Sequence, residues 1–289
     1  MRVVLVTMDS HLASAAERAA RTLAADLPGL SFVVHAAAEW TDKPAALARC
    51  RDDIAQGNIV IATMLFMEDH FLPVIDALRA RRDHCDAMVC AMSAGEVMKL
   101  TRMGRFSMDG QATGMTALLK KLRQRMSGKG EKEGAARPSA GAQQMAMLRR
   151  LPQILRFIPG TAQDLRAYFL VLQYWLAGSQ DNVASLVHLL VQRYAAGTRE
   201  PLRALARPDA PRAYPEVGVY HPRLAARLTE DAAALPGPAR PAGTVGLLLM
   251  RSYLLAGNTA HYDGVIAALE ARGLRVLPAF ATGLDARPA

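Results

Sequence analysis

Apolar and polar positions along the first 126 residues switch repeatedly between two periods. Val3 to Thr7 is an unbroken apolar run, as in a strand covered on both faces. Leu12, Ala16, Ala19, Leu23 and Leu27 then recur at helical spacing and predict a helix over 12–27, stopped by Pro28-Gly29. Ser31 to Ala37 reads as a second strand. A helix capped by Thr41 or Asp42 should follow, running through Leu47 and Ile54 to Gln56-Gly57. Ile59 to Thr63 is a third strand. Leu65 to His70 opens a further helix carrying Phe71, Ile75 and Leu78, and Ala87 to Ala91 is a fourth strand. Strict β-α alternation with short links predicts an α/β fold with a parallel, doubly wound, Rossmann-like sheet over residues 1–126.

The stretch Asp86 to Phe106 concentrates the candidate chemistry. Ser93 followed by Glu96 has the spacing of a capping box, so the fourth strand should feed a capped helix. That helix would carry Glu96, Lys99, Arg102 and Arg105, the three cations at three-residue spacing forming one basic face. Its N-terminus would stand at the carboxyl end of the sheet, where open α/β sheets bind their ligands. A well-made turn and a solvated face explain the same residues without any ligand.

Residues 127–144, rich in Gly, Ser and charge, break the pattern and read as a flexible linker. Residues 145–214 read as a helical segment, with helices over 145–157, 161–176 and 181–194. Leu165, Phe169, Leu172 and Trp175 make an apolar stripe suited to helix packing. Residues 215–289 read as the start of a second α/β unit, truncated: an extended piece at 215–221, a strand at Val245 to Met250, a helix from Thr259 to Ala271 and a strand from Leu274 to Ala279. Asp285 resembles the cap of a helix that does not follow, which points to a piece of a longer protein.

Composition narrows the classes. At 51% hydrophobic and 21% charged the chain can bury a core. The net charge of +9 is uneven, with 16 basic against 14 acidic residues in 1–126 and the excess beyond. No basic run is interleaved with aromatics, so nucleic acid is not expected as a partner. Cys50, Cys85 and Cys90 form neither a disulfide framework nor a CxxC site, which fits a reducing, cytoplasmic compartment. The strand at the very start speaks against a signal peptide, and no apolar run reaches the roughly 18 residues of a transmembrane segment.

Two further clusters follow strands. Asp9-Ser10-His11 shares the D-x-H of a cobalamin-binding D-x-H-x-x-G pattern, but Ser14 stands where the glycine belongs, and a cap on the first helix explains it as well. Glu68-Asp69-His70 places acids in a helix's first turn, where they complement its dipole. Glu68 and His70 are two apart and would not face one point, which argues against a metal site. His35, His84, His188, His221 and His261 are dispersed. G-x-x-x-x-G-K-[ST], G-x-S-x-G, H-E-x-x-H and G-x-G-x-x-G patterns are all absent, so ATP is not expected to bind this chain.

Four stretches resemble the large porphyrin-binding (H) subunit of magnesium chelatase: Val6-Thr-Met-Asp-Ser-His11, Leu65-Phe-Met-Glu-Asp-His70, residues 85–105 and residues 245–261. The last also resembles the related cobaltochelatase large subunit. The likeness spans nearly the whole chain, as the N-terminal portion of proteins several times longer. It implies a ligase that inserts Mg2+ into protoporphyrin IX during bacteriochlorophyll or chlorophyll synthesis. ATP would be hydrolysed by two smaller partner subunits of the AAA+ motor type. The fragment alone would be inactive, in the cytoplasm or peripheral to the photosynthetic membrane. The resemblance makes Asp9, His11, Glu68, His70, Ser93, Glu96, Lys99, Arg102 and Arg105 candidates to face the porphyrin or the rest of the large subunit. The catalytic base stays unassigned. A non-catalytic docking or regulatory module and a large subunit of cobaltochelatase are the alternatives.

Overall fold

The computed structural model describes residues 1–8, 10–109 and 150–281. Asp9, the linker at 127–144 and Asp285 therefore lie outside the described residues. The chain divides into two units. One comprises Met1–Ser10, Ala20–Gln173 and Ser185–Pro208, and the other His11–Ala19, Tyr174–Ala184 and Asp209–Ala289.

The first unit holds a six-stranded sheet. Along the chain the elements run β1 (Arg2–Thr7), α1 (Ala13–Asp26, of which the part to Ala19 falls in the second unit), β2 (Ser31–Ala36), α2 (Pro44–Gln56), β3 (Ile59–Thr63), α3 (Glu68–Arg82), β4 (Ala87–Ala91), α4 (Gly95–Met98), β5 (Arg102–Met103) and β6 (Phe106–Ser107). The strands lie in the order β2-β1-β3-β4-β5-β6. The four long strands pair in parallel, with Val3↔Phe32, Val3↔Ile59 and Ile59↔Ala87 in register. They are the apolar runs of the sequence, and the parallel α/β expectation holds for this core.

Alternation sorts those strands onto two faces. Val4, Val6, Val60, Ala62, Met88 and Cys90 pack with Cys50 and Ile54 of α2 and with Phe71, Val74 and Leu78 of α3. Val3, Leu5, Ile59 and Ile61, on the opposite face, are equally inaccessible, so both faces are covered. One cap differs from expectation: neither Thr41 nor Asp42 caps α2. Lys43 is its N-cap without a side-chain bond, and Pro44 stands at the first helical positions, where its missing N–H costs nothing.

The larger departure follows β4. The helix expected to carry Glu96, Lys99, Arg102 and Arg105 is a single turn, α4, and the chain then turns back as an antiparallel hairpin, β5–β6. Thr101 diverts it. Its fully buried hydroxyl accepts from the Cys90 N–H at 3.1 Å and donates to the Cys90 carbonyl at 3.0 Å, clamping the segment to β4.

Beyond residue 150 come α5 (Thr161–Ala177), α6 (Gln180–Tyr194) and α7 (Leu202–Leu205). Leu165, Phe169, Leu172 and Trp175 are all buried, as a packing stripe should be. The second unit contains β7 (Val217–Tyr220), β8 (Leu228–Thr229), β9 (Gly243–Met250), α8 (Arg251–Leu255), α9 (Ala260–Glu270) and β10 (Leu274–Ala281). Its sheet runs β8-β7-β10-β9, with β9 and β10 parallel across α9, which is the second β-α-β unit read from the sequence. One face closes over Tyr220, Leu249, Ile266, Val276 and Phe280. The other leaves Leu248 at 69% and Met250 at 57% exposure.

Candidate functional site

The carboxyl edge of the first sheet gathers most of the sequence-derived candidates. Between β1 and β3 the strand order reverses, the usual place for a ligand crevice in an open α/β sheet. Thr7 and Thr63 end these two strands, one step beyond the last paired positions Val6↔Ala62. Both are buried, and among the described residues their hydroxyl oxygens have no hydrogen-bond partner, nor does Nδ1 of the buried His70 in the first turn of α3. Such groups normally bond to water or a ligand, so this edge has hydrogen-bonding capacity to offer.

The neighbouring loops are held in a strained, cross-linked form. Met64 and Met92, the first residues after β3 and β4, have φ of 60° and 45°, a left-handed conformation that costs a non-glycine residue about 1 kcal/mol. Ser93 ties the loops together: its hydroxyl accepts from the Leu65 N–H and donates to the Ala91 carbonyl, both at 3.1 Å. The Ala94 N–H donates to the Leu65 carbonyl at 2.9 Å. Ser93 and Glu96 thus form no capping box. The N-cap of α4 is Ala94, without a side-chain bond, because the serine hydroxyl is already engaged across the loops.

The basic face does not form either, since its residues occupy three different settings. Lys99 is the exposed C-cap of α4. Arg102, in β5, donates to the Arg82 carbonyl at 3.0 Å and to the Cys85 carbonyl. It therefore satisfies acceptors at the C-terminus of α3, where the helix dipole favours a cation. Arg105 stands in the hairpin turn with an exposed side chain, and its N–H donates to Asp164 at 3.0 Å. Glu68 and Glu96 are exposed, and Phe66, Met67 and Leu72 beside them are each over half exposed. His11 belongs to the second unit, where its ring meets Trp175 edge-on at 6.3 Å. Among the described residues no three His, Cys, Asp or Glu side chains come together as a metal-holding group, and no helix is long and apolar enough to cross a membrane.

Two carboxylates organise the first unit without having stood out in the sequence. Asp86 accepts a fork from Arg199, and Asp164 joins the β5–β6 turn to Tyr194 and Arg193. Both partnerships span tens of residues, so no local spacing announces them.

Burial sets the acid–base character here. It is the main reason the Cys50 thiol is pushed up to about 12, with Asp53 adding to it, and the Cys90 thiol to about 12 although Thr101 opposes. Cys85, Tyr168 and Tyr194 are raised by burial as well. An unfolded chain ionises its thiols from about pH 8.5 and its phenols from about pH 10. Because the folded values lie higher, the unfolded state releases protons first, and stability present below pH 8.5 is lost as pH rises toward 12. The urea midpoint is expected to fall steadily above pH 8.5. The native thiols should resist a disulfide reagent at pH 8, and reaction of all three at the unfolded rate would overturn that reading.

Residues 2–169 match the family described as a domain of unknown function, DUF3479, and residues 172–289 match the family CobN/Magnesium Chelatase. The chain is 50% identical over 287 residues to the magnesium-chelatase H subunit of Cereibacter sphaeroides, covering 99% of this chain and 23% of the relative. It is 48% identical to the corresponding protein of Rhodobacter capsulatus, with the same coverage. The catalytic subunit of cobaltochelatase from Mycobacterium tuberculosis aligns structurally at 17% identity and a TM-score of 0.42, over 97% of this chain and 16% of that one. The chain thus spans about a quarter of the length of the curated relatives it matches. With residues 2–169, more than half of its length, matching the first of these family models, the chain belongs to the DUF3479 family; its remainder carries the CobN/Magnesium Chelatase domain, and from end to end it is similar to the matched quarter of magnesium-chelatase H subunits.

Proposed function

We propose that this chain is part of the porphyrin-binding subunit of a magnesium chelatase, which inserts Mg2+ into protoporphyrin IX on the way to bacteriochlorophyll or chlorophyll. The observation that carries this is the 50% identity to a magnesium-chelatase H subunit, sustained over 99% of the chain. Mg2+ and the porphyrin are substrates. ATP is hydrolysed by two smaller AAA+ partner subunits rather than by this chain, and the assembly works in the cytoplasm, peripheral to the photosynthetic membrane. The reaction needs three things: a Mg2+ ion that sheds tightly held water, a base for two pyrrole protons, and an apolar slot for a flat ring. At the carboxyl edge, the exposed Glu68, Glu96 and Lys99 are the groups free to meet a propionate or the remainder of the full-length protein, while Arg105, in the turn after Met103 and so beside the amino end of β4, would face a different part of it. His70 joins that set and Ser93 serves it by fixing the loops, whereas Asp9, His11 and Arg102 stay candidates through the sequence resemblance alone.

Two measurements test this. The chain is expected to quench protoporphyrin IX fluorescence weakly or not at all alone. A full-length protein lacking residues 1–289 should insert Mg2+ at least about tenfold more slowly, the cost of a ~1.4 kcal/mol loss of positioning. A deletion that binds porphyrin and works at the intact rate would remove any catalytic role from these residues.

A docking role within the same full-length protein is favoured by one feature, the open face of the second sheet carrying Leu248 and Met250. Replacing both by serine should change the stability of this 289-residue chain by less than about 0.5 kcal/mol, as for exposed positions. The full-length protein should lose more, in matched urea titrations. Equal losses in both would discard the docking surface.

A further inference from the structure

Among the described residues, strand β2 is an outer strand with β1 as its sole neighbour. The Ser31 N–H donates to the Met1 carbonyl at 2.7 Å. By alternation along a parallel ladder, Ser31, Val33 and His35 direct their main-chain groups toward β1, and Phe32 and Val34 direct theirs outward. Beside this edge lies a pocket of about 320 Å³, lined by Val33 through Ala36 together with Trp40 and Ala46. Consecutive strand residues point to opposite faces, so a pocket touching all four follows the backbone edge rather than undercutting one face.

The charged groups at this pocket are unequally engaged. Asp53 bonds His35 Nε2 and Arg2, each at 2.9 Å. Glu39 pairs with Lys43 at 3.5 Å. Arg49, which also lines the pocket, has no ion-pair partner among the described residues. Among the described residues, the edge therefore presents unpaired main-chain donors and acceptors, an apolar floor and a cation, Arg49, with no ion-pair partner.

We propose that the free edge of β2 takes an extended segment of a protein partner as an added strand, with an acidic side chain of that segment paired to Arg49. Strand addition supplies affinity through main-chain bonds and specificity through pockets for alternate side chains. A second copy of this chain is the poorer occupant, because its own edge, Ser31-Phe-Val-Val-His-Ala36, carries no acid. The inference is independent of the metal-insertion reading.

Amide hydrogen exchange on the 289-residue chain tests it, with the blocked peptide Lys-Thr-Val-Glu-Val-Thr as probe. Without peptide, Phe32 and Val34 amides should exchange freely while Val33 and His35 are protected. Saturating peptide should slow Phe32 and Val34 by about tenfold or more, the protection of a ladder bond worth ~1.4 kcal/mol. A Gln-for-Glu peptide should bind about fivefold more weakly, the worth of an exposed ion pair, and Arg49→Gln should erase that difference. Val34→Pro removes an outward N–H that the fold does not use, so it should block protection of Phe32 while leaving the chain folded. Three results overturn the proposal: no slowing with the peptide, equal binding of both peptides, or protection that rises with protein concentration alone, which would mark a second copy as the occupant.

Discussion

Replacing Arg199 by alanine is expected to destabilise the first unit by about 3–5 kcal/mol, the cost of leaving a buried ionic partner unpaired. Asp86 is that partner, with its side chain 7% exposed. Its two oxygens accept from Arg199 Nε at 3.0 Å and Nη2 at 2.7 Å, and the Ala196 N–H donates to it at 3.3 Å. Asp86→Ala should cost less, about 2–3 kcal/mol, because the guanidinium it abandons is 30% exposed and partly solvated. Arg199→Lys keeps the charge but not the fork, and should recover only part of the loss. The double variant should fall short of the sum of the two single losses by more than about 1 kcal/mol, since each removes the same interaction. Urea titration measures all four. Single losses within about 0.5 kcal/mol of wild type would show the pair to be idle.

Asp86 also shows where a sequence stops being legible. The longer strands of both units, β1 to β4, β7, β9 and β10, could be located to within two or three residues, because a continuous apolar run bounded by Gly, Pro or Asn is a local signal, whereas the two-residue β8 was missed. The parallel order followed from alternation with helices. The hairpin at 102–107 was invisible for two reasons. Its strands are two residues long, and the groups that impose it, Cys90 on Thr101 and Asp164 on the turn, are distant in the chain. Ser93 misled for another reason: a serine hydroxyl can cap a helix or cross-link two loops, and the spacing to Glu96 does not distinguish them. The candidate edge was found through strand order, but the atoms that lack a partner among the described residues, the Thr7 and Thr63 hydroxyls and His70 Nδ1, become visible only when every buried polar group is matched to a partner.

That hairpin makes the strongest test of how the region after β4 is held. Asp164 is 13% exposed and binds three groups: the Arg105 N–H at 3.0 Å, the Tyr194 hydroxyl at 2.9 Å and Arg193 at 3.5 Å. Asp164→Ala should cost about 3 kcal/mol, since it orphans a phenol and a turn amide and unpairs an arginine. Asp164→Asn keeps acceptor capacity and should cost roughly half as much. Gly104, in the same turn, has φ of +58°, and a β-carbon there would lie 2.7 Å from an Asp164 oxygen. Gly104→Ala therefore carries two penalties, about 1 kcal/mol for the left-handed backbone and about as much again for the forced contact. Removing the carboxylate relieves only the second. In an Asp164→Ala background the cost of Gly104→Ala should drop to about 1 kcal/mol, a non-additivity read from the four urea midpoints. Strict additivity would mean that the carboxylate does not press on the turn. A residual cost of zero would mean that the left-handed backbone is not what demands glycine. The predicted middle result requires both, and with it the fold of residues 102–107 is set by a carboxylate some sixty positions away rather than by any helix-forming tendency of the stretch itself.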